Sequence, residues 1–501
     1  MFKIEELTLK EHKKILILGG GQAGYLTALY CRKIFPKNSI TLIEDVEKGI
    51  IGVGEATTPH FVDFLISLNI DITDFIKYTG GSIKNGISFE NWNGDNKKYF
   101  HGFSSLNSFN NFQIKNIFDG DNFDYYLKVL INENLNIVDY NYPSLLSYKN
   151  KIDLKNTKIA LHLDTYKTSE YFNKISLERN IKIINDVFLS ANSNEDGTIK
   201  SLNLKNNKII ECDFIFDCSG FTKAILGKHF NCNWLSYKKH LPVKKTLLFP
   251  EIKENFNDIS PYTKSIAMKY GWIFEIPLQH RIGKGYIFDS DFIDENEAHK
   301  EIEKFYNKKI DVKRTLDFQT GRFDKAWVKN CIGLGLSQNF IEPLESTSIW
   351  MTISQLELIS YYADDLFENN QSSQNSYNEV ISNNLDSAMN FVYLHYLTKR
   401  QDSDFWINFK KNNSIPDNLQ NIINLYEKGN LRYTDLHYKN KFSYFSLFSW
   451  LSIFEGLEFN KNNKGNKFWK DNLIPTIDEY KKMIDEKVEK STSHYHFLKS
   501  L

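Results

Sequence analysis

Three short stretches hold side chains that could do chemistry together. In FIEPLESTSIW, Phe340 to Trp350, two acids, Glu342 and Glu345, precede Ser346, Thr347 and Ser348. An acid here can work as a general base, or it can simply sit at a helix start, where the dipole favours negative charge. The backbone NH groups of Thr347 and Ser348 at such a start would form a cradle for a small anion, while Ser346 has the chemistry of an ordinary cap. Lys84, in SIKNGISFENW, is a solvated surface cation if exposed. Buried, it would lose proton affinity through desolvation and offer a free amine. The third stretch is GGGQAG, with Gly19, Gly21, Gln22, Ala23 and Gly24. Here the first glycine permits a tight turn, the second lets backbone approach a pyrophosphate, and the third permits close helix packing.

The elements around that loop give it meaning. KILIL, Lys14 to Leu18, is a short apolar run of strand type, Tyr25 to Phe35 has helical periodicity and stops before Pro36, and Ser39 to Ile43 is a second strand. Glu44 closes it, twenty residues after Gly24, where it would accept from a ribose hydroxyl. Strand, glycines, helix, strand and acid in register predict dinucleotide binding. Later apolar runs at Ile181 to Ser190, Asp213 to Phe216 and Val328 to Leu336 predict strands that return to the same sheet. Between the last two lies Lys238 to Gln319, with alternating segments such as Gly285 to Phe288 and a helical stretch at Glu295 to Tyr306. It predicts a second sheet covering the nucleotide. Helical periodicity takes over at Gln355 to Phe367 and Asn378 to Tyr396, with polar loops expected at Glu368 to Ser376 and Asn460 to Asn466.

Composition excludes several classes. With 62 basic and 62 acidic side chains there is no net field to gather a polyanion or an anionic membrane, so no nucleic-acid or membrane partner is expected. The five cysteines show no CxxC pair and no His at ligand spacing, so neither a metal site nor a disulfide framework is expected. The start, MFKIEELTLKEH, is polar and acidic rather than signal-like, and no window reaches about eighteen apolar residues. A cytoplasmic location is the expectation. Aromatic content of 15% suits an aromatic-lined pocket and hints at a homo-oligomer interface.

GGGQAG, GVGEATTP (Gly52 to Pro59), GWIFEIPL (Gly271 to Leu278) and EPLESTSI (Glu342 to Ile349) together resemble the flavin-dependent tryptophan halogenase family. YFHGF with His101 and Phe103, LHLDT at Leu161 to Thr165, DCSGF at Asp217 to Phe221, RIGKGY, GR at Gly321, HYLTKRQDSDFW at His395 to Trp406 and the SW pair at Ser449 and Trp450 agree in the same order. The resemblance implies an α/β fold: a flavin-binding, Rossmann-like lobe with an inserted antiparallel sheet, then a mostly helical C-terminal substrate lobe. In residue terms, the FAD-binding lobe spans 1–370, with a core at 12–235 and 315–352 and a covering sheet at 236–314, and the helical lobe spans 371–501.

The resemblance also implies a chemistry. Reduced FAD, dioxygen and a halide ion would give hypohalous acid, which passes inside the protein to Lys84 and halogenates an electron-rich aromatic of indole, pyrrole or phenol type. Lys84, Glu345 and Ser346 would be catalytic, and Thr347 and Ser348 would bind halide, Ser348 standing where tryptophan-specific members have Gly. FAD contacts carry over to Gly19, Gly21, Gln22, Ala23, Gly24, Glu44, Gly54, Glu55, Ala56, Thr57, Val187, Leu336 and Ile349. For substrate, His101 and Phe103 match the family's pocket positions, and Trp450 or Tyr444 would contribute from the helical lobe. Only one phosphate loop is visible, so reduced flavin would come from a separate reductase. Phe274 departs from the family's second tryptophan; if that barrier leaks, the alternative is a flavin monooxygenase that hydroxylates an aromatic.

Overall fold

The computed structural model describes residues 12–49, 52, 54–103, 142–155, 157–252, 259–412, 414–428, 431, 435–436, 445–459 and 477–501. Lys14–Leu18 is buried from Ile15 onward because it runs through the middle of a six-stranded sheet. The order is Trp327–Val328, Cys331–Gly333, Phe214–Asp217, Lys14–Leu18, Ser39–Glu44, Lys182–Asn185, and all but the first pairing are parallel. Such strands are covered on both faces, which is why they read as continuous apolar runs. Register aligns their carboxyl ends: Leu18 lies opposite both Ile43 and Asp217. A crevice at that edge is where open α/β sheets bind ligands.

The second sheet has eight strands and is wider than the segment 236–314. Arg314–Asp317, Lys245–Leu248, Arg281–Phe288, Gly271–Pro277 and Thr263–Ala267 are followed across the sheet by Gly86–Glu90 and Lys98–Gly102, and Glu251–Ile252 pairs at the side. Glu295–Tyr306 is helical as its pattern predicts, started by a capping box between Asp294 and Glu297. A third, small sheet positions Lys84. In it Ala160–Leu163 pairs antiparallel with both Glu55–Ala56 and Ser82–Lys84.

The helical part differs from the sequence expectation at one junction. Helices run Thr347–Ser360 and Gln371–Tyr396, so the polar stretch expected as a loop at Glu368 to Ser376 is mostly the opening of the second helix. The reason is a cap: the Asn370 side chain accepts from the NH groups of Ser372 and Ser373, and that stabilises a start whose Ser and Asn residues face solvent. The loop expected at Asn460 to Asn466 lies outside the described residues.

Gly86 joins the lysine strand to the strands that carry His101. A Cβ there would lie 2.3 Å from the His101 carbonyl oxygen and 2.5 Å from the Phe100 ring. Gly86→Ala should therefore cost roughly 1–3 kcal/mol of stability through overpacking, read as a lowered urea midpoint with an unchanged slope.

Candidate active site

A cavity of about 1330 Å³ opens at the carboxyl edge of the parallel sheet. Among its lining residues are Gly19, Gly21, Gln22, Ala23, Glu44, Gly54, Glu55, Ala56, Val187, Leu336 and Ile349. Gly24 lies beneath instead, where an added Cβ would stand 1.8 Å from the Gly19 carbonyl oxygen. Glu44 accepts from the Tyr25 hydroxyl at 2.9 Å, which fixes its carboxylate at the end of its strand. The residues fit a dinucleotide by their unmet bonding as well as by shape. Both polar atoms of the Gln22 amide and Oδ2 of Asp186 are buried without a partner among the described residues, and both side chains line the cavity. Buried polar atoms of this kind call for a ligand.

Thr57 turns away from the cavity wall and joins it to the lysine. Its hydroxyl and NH are tied to Leu161 at 2.9 Å, and its carbonyl accepts from Lys84 Nζ at 2.9 Å. Nζ also donates to Ser346 Oγ at 2.8 Å and stands 4.7 Å from the centre of the Phe103 ring. The lysine is fully buried, and that burial lowers its pKa to about 7 against the opposing pull of Glu345. Ser346 does not cap its helix. It sits in the left-handed region at φ 58° with no cap bond from its side chain, which is free to take the lysine's proton donor while Ser346 also lines the cavity. The first NH groups of a 14-residue helix, at Thr347 and Ser348, thus lack a cap from the Ser346 side chain; Ser348 lines the cavity, and Thr347 Oγ1 is buried without a partner among the described residues.

The structure separates the two acids. Glu342 Oε1 accepts from Tyr396 OH at 2.7 Å, and Tyr396 OH in turn receives the Trp272 indole NH at 3.2 Å. With no cation beside it, burial pushes Glu342 up to about 8. Trp272 and Phe274 line the cavity together, ring centres 6.3 Å apart. Glu345 lies on the lysine side. Its Oε1 accepts from His395 Nε2 at 2.7 Å and its Oε2 from His101 Nδ1 at 2.9 Å. Burial would raise this carboxyl, but the two histidines hold it down at about 2.

His395, the second partner of Glu345, is a side chain that sequence reasoning left without a role. Its signal was the helical spacing to Phe391, which puts both on one face; Nδ1 meets the Phe391 carbonyl at 3.0 Å. His101 is surrounded by the rings of Phe103, Phe391 and Phe445, centres 6.4, 5.8 and 6.5 Å away. Phe391 stacks on Phe445 at 3.7 Å and meets the Trp450 ring edge-on at 4.9 Å. These rings form an aromatic cage beside Lys84. Tyr444 lies outside the described residues.

The tryptophan halogenase family model matches residues 14–467. Tryptophan 7-halogenase KtzQ of Kutzneria sp. (strain 744) is 30% identical over 426 residues, 79% of this chain and 78% of that protein. Tryptophan 7-halogenase RebH of Lentzea aerocolonigenes is 28% identical over 445 residues, 83% of this chain and 82% of that one. Among solved structures, the flavin-dependent halogenase BrvH from Brevundimonas sp. BAL3 superposes with a TM-score of 0.85 at 25% identity, covering 98% of this chain and 99% of that one. The mixed α/β fold of the present chain is the fold of that enzyme. No helix among the described residues is long and apolar enough to cross a membrane.

The displaced lysine has a thermodynamic signature. In the unfolded chain the amine keeps its proton up to 10.5, whereas in the folded chain it releases it at about 7. Between those values the unfolded state holds more protons, so this residue makes stability rise with pH, by up to about 1.4 kcal/mol per unit. Lys84→Met should remove that rise. Unfolding free energies of the two proteins, measured by urea titration, should differ most below pH 7 and converge towards 10.5.

Proposed function

The chain belongs to the tryptophan halogenase family, and on that premise we propose that it uses reduced FAD, dioxygen and a halide to form hypohalous acid, which is held at Lys84 and halogenates an electron-rich aromatic ring. The observation that carries this is the lysine itself. Its amine is fully buried, fixed by Thr57 and Ser346, and joined through Ser346 to the cavity. A reduced flavin bound there supplies the oxidising equivalents from dioxygen. The chain's own residues do the rest.

Gln22, Glu44 and the glycine turn hold the dinucleotide, and the uncapped NH groups of Thr347 and Ser348 hold the halide at a helix start. Trp272 and Phe274 form the wall that keeps an aromatic substrate off the flavin. Lys84 has two of its donor directions committed, so a third proton or the lone pair of the free amine remains to hold the electrophile. At a pKa of about 7 both forms are populated in neutral solution. Fixing hypohalous acid at one atom converts an indiscriminate reagent into a positioned one. The ring carbon takes halogen, the oxygen leaves as water, and the balance is ArH + HOX → ArX + H₂O. One phosphate loop in the chain fits flavin that arrives already reduced, from a separate flavin reductase.

The test supplies purified chain with a flavin reductase, FAD and NADH, and offers indoles, pyrroles and phenols with chloride, bromide or iodide. Mass spectrometry should find halide-dependent products, and Lys84→Ala should lower their formation by about 100-fold or more while NADH is still consumed. A product that gains oxygen whatever halide is present would replace this function with hydroxylation. Full halogenation by Lys84→Ala would remove the lysine from it.

A further inference from the structure

An electrophile made inside a protein meets the protein first, and the side chains along its path differ in what they offer it. Substitution on an aromatic ring is faster the more electron-rich the ring, so an indole reacts ahead of a neutral phenol and far ahead of phenylalanine. Among the described residues, the cavity is lined by one indole, Trp272, and two phenols, Tyr25 and Tyr166. Tyr25 belongs to the nucleotide end, in the helix that follows the glycine turn, and its hydroxyl is tied to Glu44. Tyr166 is 50% exposed and opens to solvent. The thiol on the wall, Cys218, lies beneath the glycine turn: an added Cβ on Gly19 would stand 2.2 Å from the Cys218 carbonyl oxygen, and the sulfur meets Thr27 Oγ1 at 3.6 Å. A dinucleotide seated on that turn covers it.

Trp272 belongs to the lysine end. Its indole NH donates to Tyr396 OH at 3.2 Å, and Tyr396 donates to Glu342 at 2.7 Å. Directly after Glu342 come Pro343, Leu344 and Ser346, which line the cavity, and Ser346 accepts from Lys84. The bond to Tyr396 fixes the indole and, by drawing on its NH, enriches the pyrrole half in electrons. Phe274, two residues on and therefore on the same face of the strand, is poor in electrons by comparison; its ring centre is 6.3 Å away. We propose that Trp272 is an internal site of self-halogenation, attacked by hypohalous acid when turnover runs with no substrate ring to consume it. This rests on the halogenase function proposed above and names where an unused electrophile ends.

Atoms and charges balance. A carbon of the pyrrole half attacks the halogen, the O–X bond breaks, and hydroxide leaves. The C–H electron pair then returns to the ring, and the hydroxide takes the proton and becomes water, so that indole–H and HOX give indole–X and H₂O. The indole nitrogen keeps its proton and its bond to Tyr396. Trp272 is only 1% exposed, so the added halogen must displace packed neighbours. Modification therefore also disturbs the wall between flavin and substrate.

The test turns over the purified chain with a flavin reductase, FAD, NADH and bromide or chloride, with no aromatic added, and then digests it with trypsin. The peptide 270–281, released by cleavage after Lys269 and Arg281, should gain one halogen, identified by its paired isotopes, and fragment ions should place it on Trp272. Free methionine in the mixture destroys hypohalous acid in solution, so it should spare rings such as Tyr361, 79% exposed, and leave Trp272 modified. A parallel run contains a diffusible diketone trap. Halogen found in the trap or in other peptides while Trp272 stays unmodified, or protection of Trp272 by methionine, would overturn the proposal. If neither the trap nor any peptide takes up halogen, the halogenase function fails and this site with it.

Discussion

The buried amine of Lys84, donating to the Thr57 carbonyl and the Ser346 hydroxyl, is the contact on which the rest of the site depends. An ammonium without water must have fixed acceptors, and here each acceptor comes from a different part of the chain. Thr57 directly follows Glu55 and Ala56, which line the cofactor cavity, and Ser346 belongs to the turn that opens a helix. The small sheet in which Ala160–Leu163 pairs with both Glu55–Ala56 and Ser82–Lys84 makes this possible. Two neutral histidines secure it. His162 bridges Ser82 and Thr263, and His494 takes the Ile83 NH while its other nitrogen meets the Ile259 carbonyl. Burial keeps both well below the ordinary imidazole value, so neither adds a charge beside the amine.

The same stretch of sequence carries two acids with opposite environments. Glu342 and Glu345 are three residues apart, one beside a tyrosine and an indole, the other between two histidines. Without a cation the first is pushed up to about 8 and is largely protonated in neutral solution; with two imidazoles the second is held down at about 2 and carries a charge. Divergent environments of this kind assign different roles to like groups. Glu342 supports the Trp272 wall, and Glu345 faces Lys84.

The parallel sheet was legible because its strands are buried on both faces and its first turn needs glycines. Lys14 to Glu44 could be assigned almost residue by residue. Periodicity also placed the covering sheet, since its strands and the Glu295–Tyr306 helix alternate in plain patterns. What escaped was built from long-range pairing or local capping. Nothing local says that Gly86–Glu90 joins strands nearly two hundred residues later, or that Asn370 turns a polar stretch into helix. Ser346 shows the same limit within the site. Its type and position read as a cap, yet its left-handed backbone turns the hydroxyl towards a lysine 262 residues away. The partner of His101 could not be read from YFHGF either, because Glu345 lies 244 residues later in the chain.

The rings around the amine bear on how such a site survives its own reagent. Among aromatic side chains phenylalanine is the least electron-rich, and an electrophile that would attack indole or phenol leaves it largely alone. The ring in contact with the Lys84 amine is Phe103, and the one that lines the cavity next to Trp272 is Phe274. Among the described residues, the other two rings around His101 are also phenylalanines, Phe391 and Phe445, and these stack face to face. Trp272, buried on the cavity side, is an electron-rich exception, and its nitrogen is tied to Tyr396, whose hydroxyl is in turn held by Glu342. Under the halogenation proposed above, the phenylalanines of this cage give a substrate ring apolar surface and edge-to-face partners while competing with it for halogen less than an indole would, and the one indole ring described in the cage, Trp450, stands behind Phe391 at 4.9 Å.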